Sequence, residues 1–127
     1  MADTQLAPGL TGHASLTVEA CDLATALRSG DVRVLGTPRL IALCEEATVN
    51  AVHSNLPSSY TTVGTGIDIR HLAPTQEGGI VSARAVLIAA EAYRLLFEVE
   101  ANEGDKLVAI GKIRRALVNR SDFLSNL

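Results

Sequence analysis

Between residues 12 and 20 polar and apolar positions alternate. His13, Ser15, Thr17 and Glu19 stand against Ala14, Leu16, Val18 and Ala20, a period of two that predicts a strand with one narrow apolar face. Residues 21–35 mix helical and extended preferences around a Ser29-Gly30-Asp31 turn signal and define no single element. At Gly36 the period changes. Thr37 suits an N-cap and Pro38 a first-turn position where an N–H is not needed, so a helix is expected from here to about residue 55, stopped by Pro57. On a helical wheel Leu40, Ile41, Cys44, Ala47, Ala51 and Val52 share one arc, while Glu46, Val49 and His53 lie opposite it or beyond its edges. Four long strand-like segments follow, at 60–72, 80–90, 93–101 and 107–118. Residues 73–79 read as a loop, and 102–105 as a hairpin turn in which Gly104 can take positive φ. The junction at Glu91-Ala92 carries neither glycine nor proline and is the least clearly marked boundary.

The order is therefore strand, long helix, then four strands joined mostly as hairpins. The simplest layer solution is an α+β domain over residues 1–127, with a strongly curved antiparallel sheet of five or six strands laid around one helix. Such a sheet has exposed edges, and pairing with a second copy would cover one, so a homodimer is expected.

Composition narrows the range of functions. A chain of 127 residues, 47% hydrophobic, can bury roughly two-thirds of its unfolded surface, enough for one core. With 3% aromatics that core must be built from Leu, Val, Ile and Ala. Net charge of −3, no Trp and two each of Tyr and Phe provide neither an electrostatic footprint nor a stacking platform for nucleic acid. No apolar run reaches the eighteen or so residues of a membrane span, and the first residues lack a basic, apolar leader pattern. Of the two cysteines, Cys44 falls in the apolar helical pattern, which suggests a reduced structural thiol and a cytoplasmic setting. The three histidines have no metal-ligand spacing among themselves or with the cysteines, and no phosphate-binding or dinucleotide motif is present, so neither metal nor cofactor is expected.

Three side chains have positions that could carry chemistry. Glu45 borders the apolar arc beside Ile41 and Val52, where partial burial would favour general-base or nucleophilic work, although a carboxylate at that border can equally sit in water. His71 follows Val63, Thr65, Ile67 and Ile69 in period two and is expected on the inner face at the strand's end, as a reactive or a purely structural imidazole. Thr37 is explained by capping alone, yet it stands where free helix N–H groups could hold a carbonyl oxygen during acyl transfer. Eight residues of straight helix put Thr37 and Glu45 about 12 Å apart along the axis, too far for contact.

Gly36-Thr37 with Glu45 eight positions on, then Gly64-Thr65-Gly66 running through Ile67-Asp68-Ile69-Arg70 to His71, resembles the fluoroacetyl-CoA thioesterase group of hot-dog-fold proteins. The likeness extends from Gly12-His13-Ala14-Ser15 to Phe123. It implies a hot-dog dimer that hydrolyses acyl-CoA thioesters with a catalytic set at Thr37, Glu45 and His71, the Gly64 N–H positioning the carbonyl and Arg115 near the nucleotide. Residues 27–35, just before the helix, contain no phenylalanine to form an aromatic lid, so the resemblance implies a short-chain acyl preference broader than, or different from, a fluorinated one. The alternatives are a non-catalytic acyl-CoA-binding or regulatory module, a hot-dog hydratase or dehydratase, and a dimerisation domain. The expected Asp-and-His arrangement of a hydratase has no obvious counterpart here.

Overall fold

A computed structural model describes residues 6–127. The first five residues of the domain expected over 1–127, and with them the start of the leader reading, lie outside the described residues. The five strands are β1 (Thr11–Thr17), β2 (Tyr60–His71), β3 (Ile80–Glu91), β4 (Arg94–Glu103) and β5 (Lys106–Asn119). They form one antiparallel sheet in the order β1-β3-β4-β5-β2, which leaves β1 and β2 as its edges. Helices α1 (Ala24–Leu27), α2 (Thr37–Val52) and α3 (Arg120–Ser125) complete the chain.

The expected helix and sheet are both present, and their boundaries differ for identifiable reasons. The first strand ends at Thr17 rather than near residue 20, because Glu19 and Asp22 close a reciprocal capping box around a 3₁₀ turn at Ala20–Asp22. Gly36, not Thr37, is the N-cap of α2; Thr37 is the first helical residue and its hydroxyl caps nothing. The helix tightens into a 3₁₀ turn at His53–Asn55, just before Pro57. The hairpin between β3 and β4 needs no glycine because Ala92 itself takes φ 54°, an unfavourable conformation for a residue with a Cβ. Helix α3 has no counterpart among the elements expected from the pattern; Asn119 caps it by accepting a bond from the Asp122 N–H at 3.0 Å.

The core fills the concave side of the sheet. Leu40, Leu43, Cys44, Ala47, Thr48, Ala51 and Val52 of α2 are buried against Ala14, Val81, Ala83, Ala85, Leu87, Phe97 and Val99. Leu43 and Thr48 widen the expected arc and Ile41 is only half-buried, because the sheet curls around the helix rather than meeting it as a plane. Thr48 is tolerated inside because its hydroxyl donates to the Glu45 carbonyl at 2.6 Å. The helix sits unusually close to β1: a Cβ on Gly12 would lie 2.7 Å from the Ala51 Cα and would also overlap the Ala47 carbonyl and the Ala51 nitrogen. Gly12, Ala47 and Ala51 thus let strand and helix backbones meet directly, which explains how so few aromatics suffice.

Candidate active site

The N-terminus of α2 and the C-terminal end of β2 meet through one polar contact, Thr37 Oγ1 to His71 Nδ1 at 2.8 Å. Freed from capping, the hydroxyl holds the ring in place. His71 Nε2 is buried and has no partner among the described residues. Burial pushes the imidazole below its ordinary value of 6.5, with a smaller upward pull from the Ala73 backbone. The native state therefore binds the proton less readily than the unfolded chain, and stability must fall as pH drops below about 6.5, levelling out beneath the native pKa. We expect the thermal midpoint to decline between pH 7.5 and pH 5, and a His71→Gln variant to lose that part of the slope. An unchanged slope in the variant would assign the decline to other groups.

One face of α2 further along carries the second constellation. Glu45 Oε2 accepts from Arg115 Nη1 at 3.2 Å. Arg115 also donates from Nε to Thr62 Oγ1 at 2.9 Å and from Nη2 to the Thr62 carbonyl at 3.0 Å. The guanidinium is 7% exposed and the carboxylate 35%, so the cation is locked in the wall while the anion keeps one side open. Burial lowers the Arg115 pKa; the charge of Glu45 and its hydrogen bond oppose that shift. Beneath the carboxylate lies Gly64, where a Cβ would fall 2.6 Å from Glu45 Oε2. No hydrogen bond or ion pair joins Glu45 to Thr37 or His71 among the described residues, as the axial separation of Thr37 and Glu45 required.

A bulge on β2 creates both arrangements. Gly64 pairs with Arg115 and Gly66 with Arg114, so Thr65 is the extra residue. Before it the even positions Thr62 and Gly64 face inward; after it the odd positions Ile69 and His71 do. The uninterrupted alternation expected from Val63 to His71 is thus corrected: His71 faces inward as expected, but Val63 is out of step with it. Thr62 escaped sequence reasoning altogether. A usable signal was Arg115 itself, two positions after the buried Ile113 on the same strand face, where a cation needs partners. Arg115, which the resemblance places near the nucleotide, is turned into the protein with Nε, Nη1 and Nη2 donating to Thr62 and Glu45.

Neighbouring groups do not add reactive chemistry. The Cys44 thiol is pushed up to about 11, first by burial and then by the Glu45 charge, and so stays protonated. Among the described residues Glu19, Cys21 and Asp22 form the one grouping with metal-ligand reach. The Asp22 carboxylate there already accepts from the Glu19 N–H at 2.8 Å and from Arg39 Nε at 3.1 Å.

A curled five-stranded antiparallel sheet clasping one central helix is the hot-dog fold, and solved thioesterases share it. The fluoroacetyl-CoA thioesterase FlK superposes with TM-score 0.88 at 24% identity, covering 95% of this chain and 94% of that one. A Thermus thermophilus thioesterase-superfamily member gives 0.86 at 20% identity, covering 94% and 89%. The chain matches the family described as FlK, fluoroacetyl-CoA-specific thioesterase, over residues 18–121, and it belongs to that family. A fluoroacetyl-CoA thioesterase of Streptantibioticus cattleyicolor is 31% identical over 90 residues, 71% of this chain and 65% of its own length.

Proposed function

We propose that the protein is an acyl-CoA thioesterase for a small acyl group, acting as a cytoplasmic homodimer whose protomer is a single domain over residues 1–127. One observation carries the reading: an open-sided carboxylate, Glu45, is braced by a buried arginine directly above a glycine backbone. A side chain at position 64 would occupy the space where a thioester carbonyl must approach. In this site Glu45 delivers the attack on the acyl carbon, directly or by taking a proton from water. The Gly64 backbone N–H positions the carbonyl oxygen. The new C–O bond forms as the carbonyl π pair moves onto oxygen; that pair returns as the C–S bond breaks, and the departing sulfur takes up a proton with the help of His71, whose free Nε2 is the available ring position and whose Nδ1 is held by Thr37. Where Glu45 attacks directly, water then hydrolyses the resulting anhydride, releasing the carboxylic acid and restoring Glu45. Arg115 acts as a positioning residue for Glu45. Family membership supports this chemistry, and a variant of FlK has been solved with acetyl-CoA. Coenzyme A enters as part of the substrate, and no step calls for a metal or a resident cofactor.

The dimer reading rests on β2, a sheet edge that exposes Ile67. The cytoplasmic reading draws on two free cysteines; no helix of the described residues is long and apolar enough to cross a membrane. The test is thiol release from a panel of short acyl-CoA esters by the purified protein. Turnover of one or more supports the function. Tight acyl-CoA binding with no thiol release would replace it with the non-catalytic module, which the separation of Glu45 from His71 within one chain would then explain.

A further inference from the structure

Thr62 takes no part in the chemistry described for Glu45, yet it accepts two of the three hydrogen bonds that Arg115 makes among the described residues. Nε donates to its hydroxyl at 2.9 Å and Nη2 to its carbonyl at 3.0 Å, so one whole edge of the planar guanidinium rests on a single residue. That edge fixes the plane of the group and, with it, the place of the remaining corner, Nη1. Nη1 reaches Glu45 Oε2 at 3.2 Å, longer than the roughly 2.7–2.9 Å usual for a charge-assisted bond. The closer bonds are those to Thr62, so Thr62 sets where the cation stands. Glu45 depends on that setting, because its other carboxylate oxygen makes no hydrogen bond among the described residues.

The register explains why Thr62 can accept twice. Leu117, which faces Thr62 on β5, turns its N–H to the Tyr93 carbonyl on the opposite side at 2.8 Å. In an antiparallel ladder the N–H and C=O of one residue point the same way, so Thr62 and Leu117 form a pair without ladder bonds, and the Thr62 carbonyl is left free of β5. Two residues on, Gly64 faces Arg115 itself, and the arginine can pass over it because no side chain intervenes; a Cβ there would stand 3.5 Å from Nη1. Thr62 precedes the bulge at Thr65 on the inward phase, which puts its hydroxyl on the guanidinium side of the strand. An acceptor is needed there, since the guanidinium is buried and a buried N–H without a partner is costly. Valine would suit the strand as well as threonine does. The demand for a hydroxyl therefore comes from Arg115 and not from the strand.

We propose that Thr62 is a positioning residue for the hydrolysis: its hydroxyl and carbonyl hold the Arg115 guanidinium in the orientation that aims the Glu45 carboxylate at the acyl carbon. The proposal deepens the thioesterase reading and rests on it for the part played by Glu45. Two measurements on wild type, Thr62→Val and Thr62→Ser separate it from a structural role. The first is NMR exchange of the Arg115 Nε–H with solvent, its signal assigned by its loss in Arg115→Lys, and it does not depend on turnover. Exchange should be slow in wild type and in Thr62→Ser, and at least about tenfold faster in Thr62→Val. The second is steady-state hydrolysis of the short acyl-CoA that wild type turns over fastest. In Thr62→Val kcat should fall about tenfold with KM within about twofold, less than the hundredfold that a misplacement of about 1 Å can cost, because the Thr62 carbonyl still holds one corner. Thr62→Ser, which keeps the acceptor, should stay within about threefold of wild type in both constants. A thermal midpoint lowered in Thr62→Val with kcat and exchange at wild-type values would overturn the proposal by making the hydroxyl structural, as would a rise in KM with kcat unchanged. Rapid Nε–H exchange already in wild type would overturn it whether or not the valine variant folds. Faster exchange in Thr62→Val of a protein that hydrolyses no acyl-CoA would sustain the hold of Thr62 on Arg115 and remove the thioesterase reading instead.

Discussion

Glu45→Gln should lower the rate of thiol release from acyl-CoA by about 10² to 10⁴, the range associated with loss of a positioned proton-transfer group. Glutamine keeps the shape and one acceptor oxygen for Arg115 but can neither attack the acyl carbon effectively nor take a proton from water. Structure should survive with a penalty. The pair it breaks has one fully enclosed partner, and removing the counter-charge of a buried cation is costly. The 35% exposure of Glu45 lets solvent reach the site, so we expect about 1–2 kcal/mol. Rates and thermal midpoints measured on the same preparation separate the two effects. A folded Glu45→Gln protein retaining more than a tenth of wild-type activity would remove Glu45 from the reaction.

Gly12→Ala should be a strongly destabilising small substitution. The new methyl would meet backbone on α2, the Ala47 carbonyl and the Ala51 nitrogen and Cα, rather than the end of a flexible side chain. Relief therefore requires strand and helix to separate along their contact. A cost of about 3 kcal/mol is expected, at the upper end for overpacking, which for a domain of this size lowers the thermal midpoint by roughly 10 to 15 °C. Gly66→Ala is the matched comparison, since its added Cβ would make only ordinary contact with the Arg114 side chain, 3.6 Å away. A Gly12→Ala midpoint close to that of Gly66→Ala would show that helix and strand have room to spare along this seam. Because α2 carries both Thr37 and Glu45, the same substitution should also move the candidate site.

Local signals made much of the fold readable. Gly36 and Pro38 marked the start of α2, Pro57 its end, and Gly104 the last hairpin, because each acts through its own backbone. The β3–β4 hairpin was harder to delimit, since Ala92 adopts by tertiary constraint a conformation its residue type disfavours. Helical rise alone kept Thr37 and Glu45 apart. That Thr37 meets His71, 34 residues away, depends on how β2 closes over α2, which no local pattern encodes. The same limit applies to Arg115 and Glu45, 70 residues apart. A charged residue on the apolar face of β5 signalled a need for partners without naming them. The phase change at Thr65 stayed hidden because a bulge is a property of two strands, and an alternating pattern read along one cannot reveal it.

That bulge has a mechanical consequence. A uniformly alternating edge strand can slide along its neighbour by two residues and still present the same faces, so its alignment is a soft coordinate. On β2 the two halves are out of step, and any slide would move Thr65 away from the single place on β5 that accommodates it. The irregularity thus acts as a latch. It makes the alignment of Gly64 under Glu45, and of His71 beside Thr37, one setting of the strand rather than two separate adjustments.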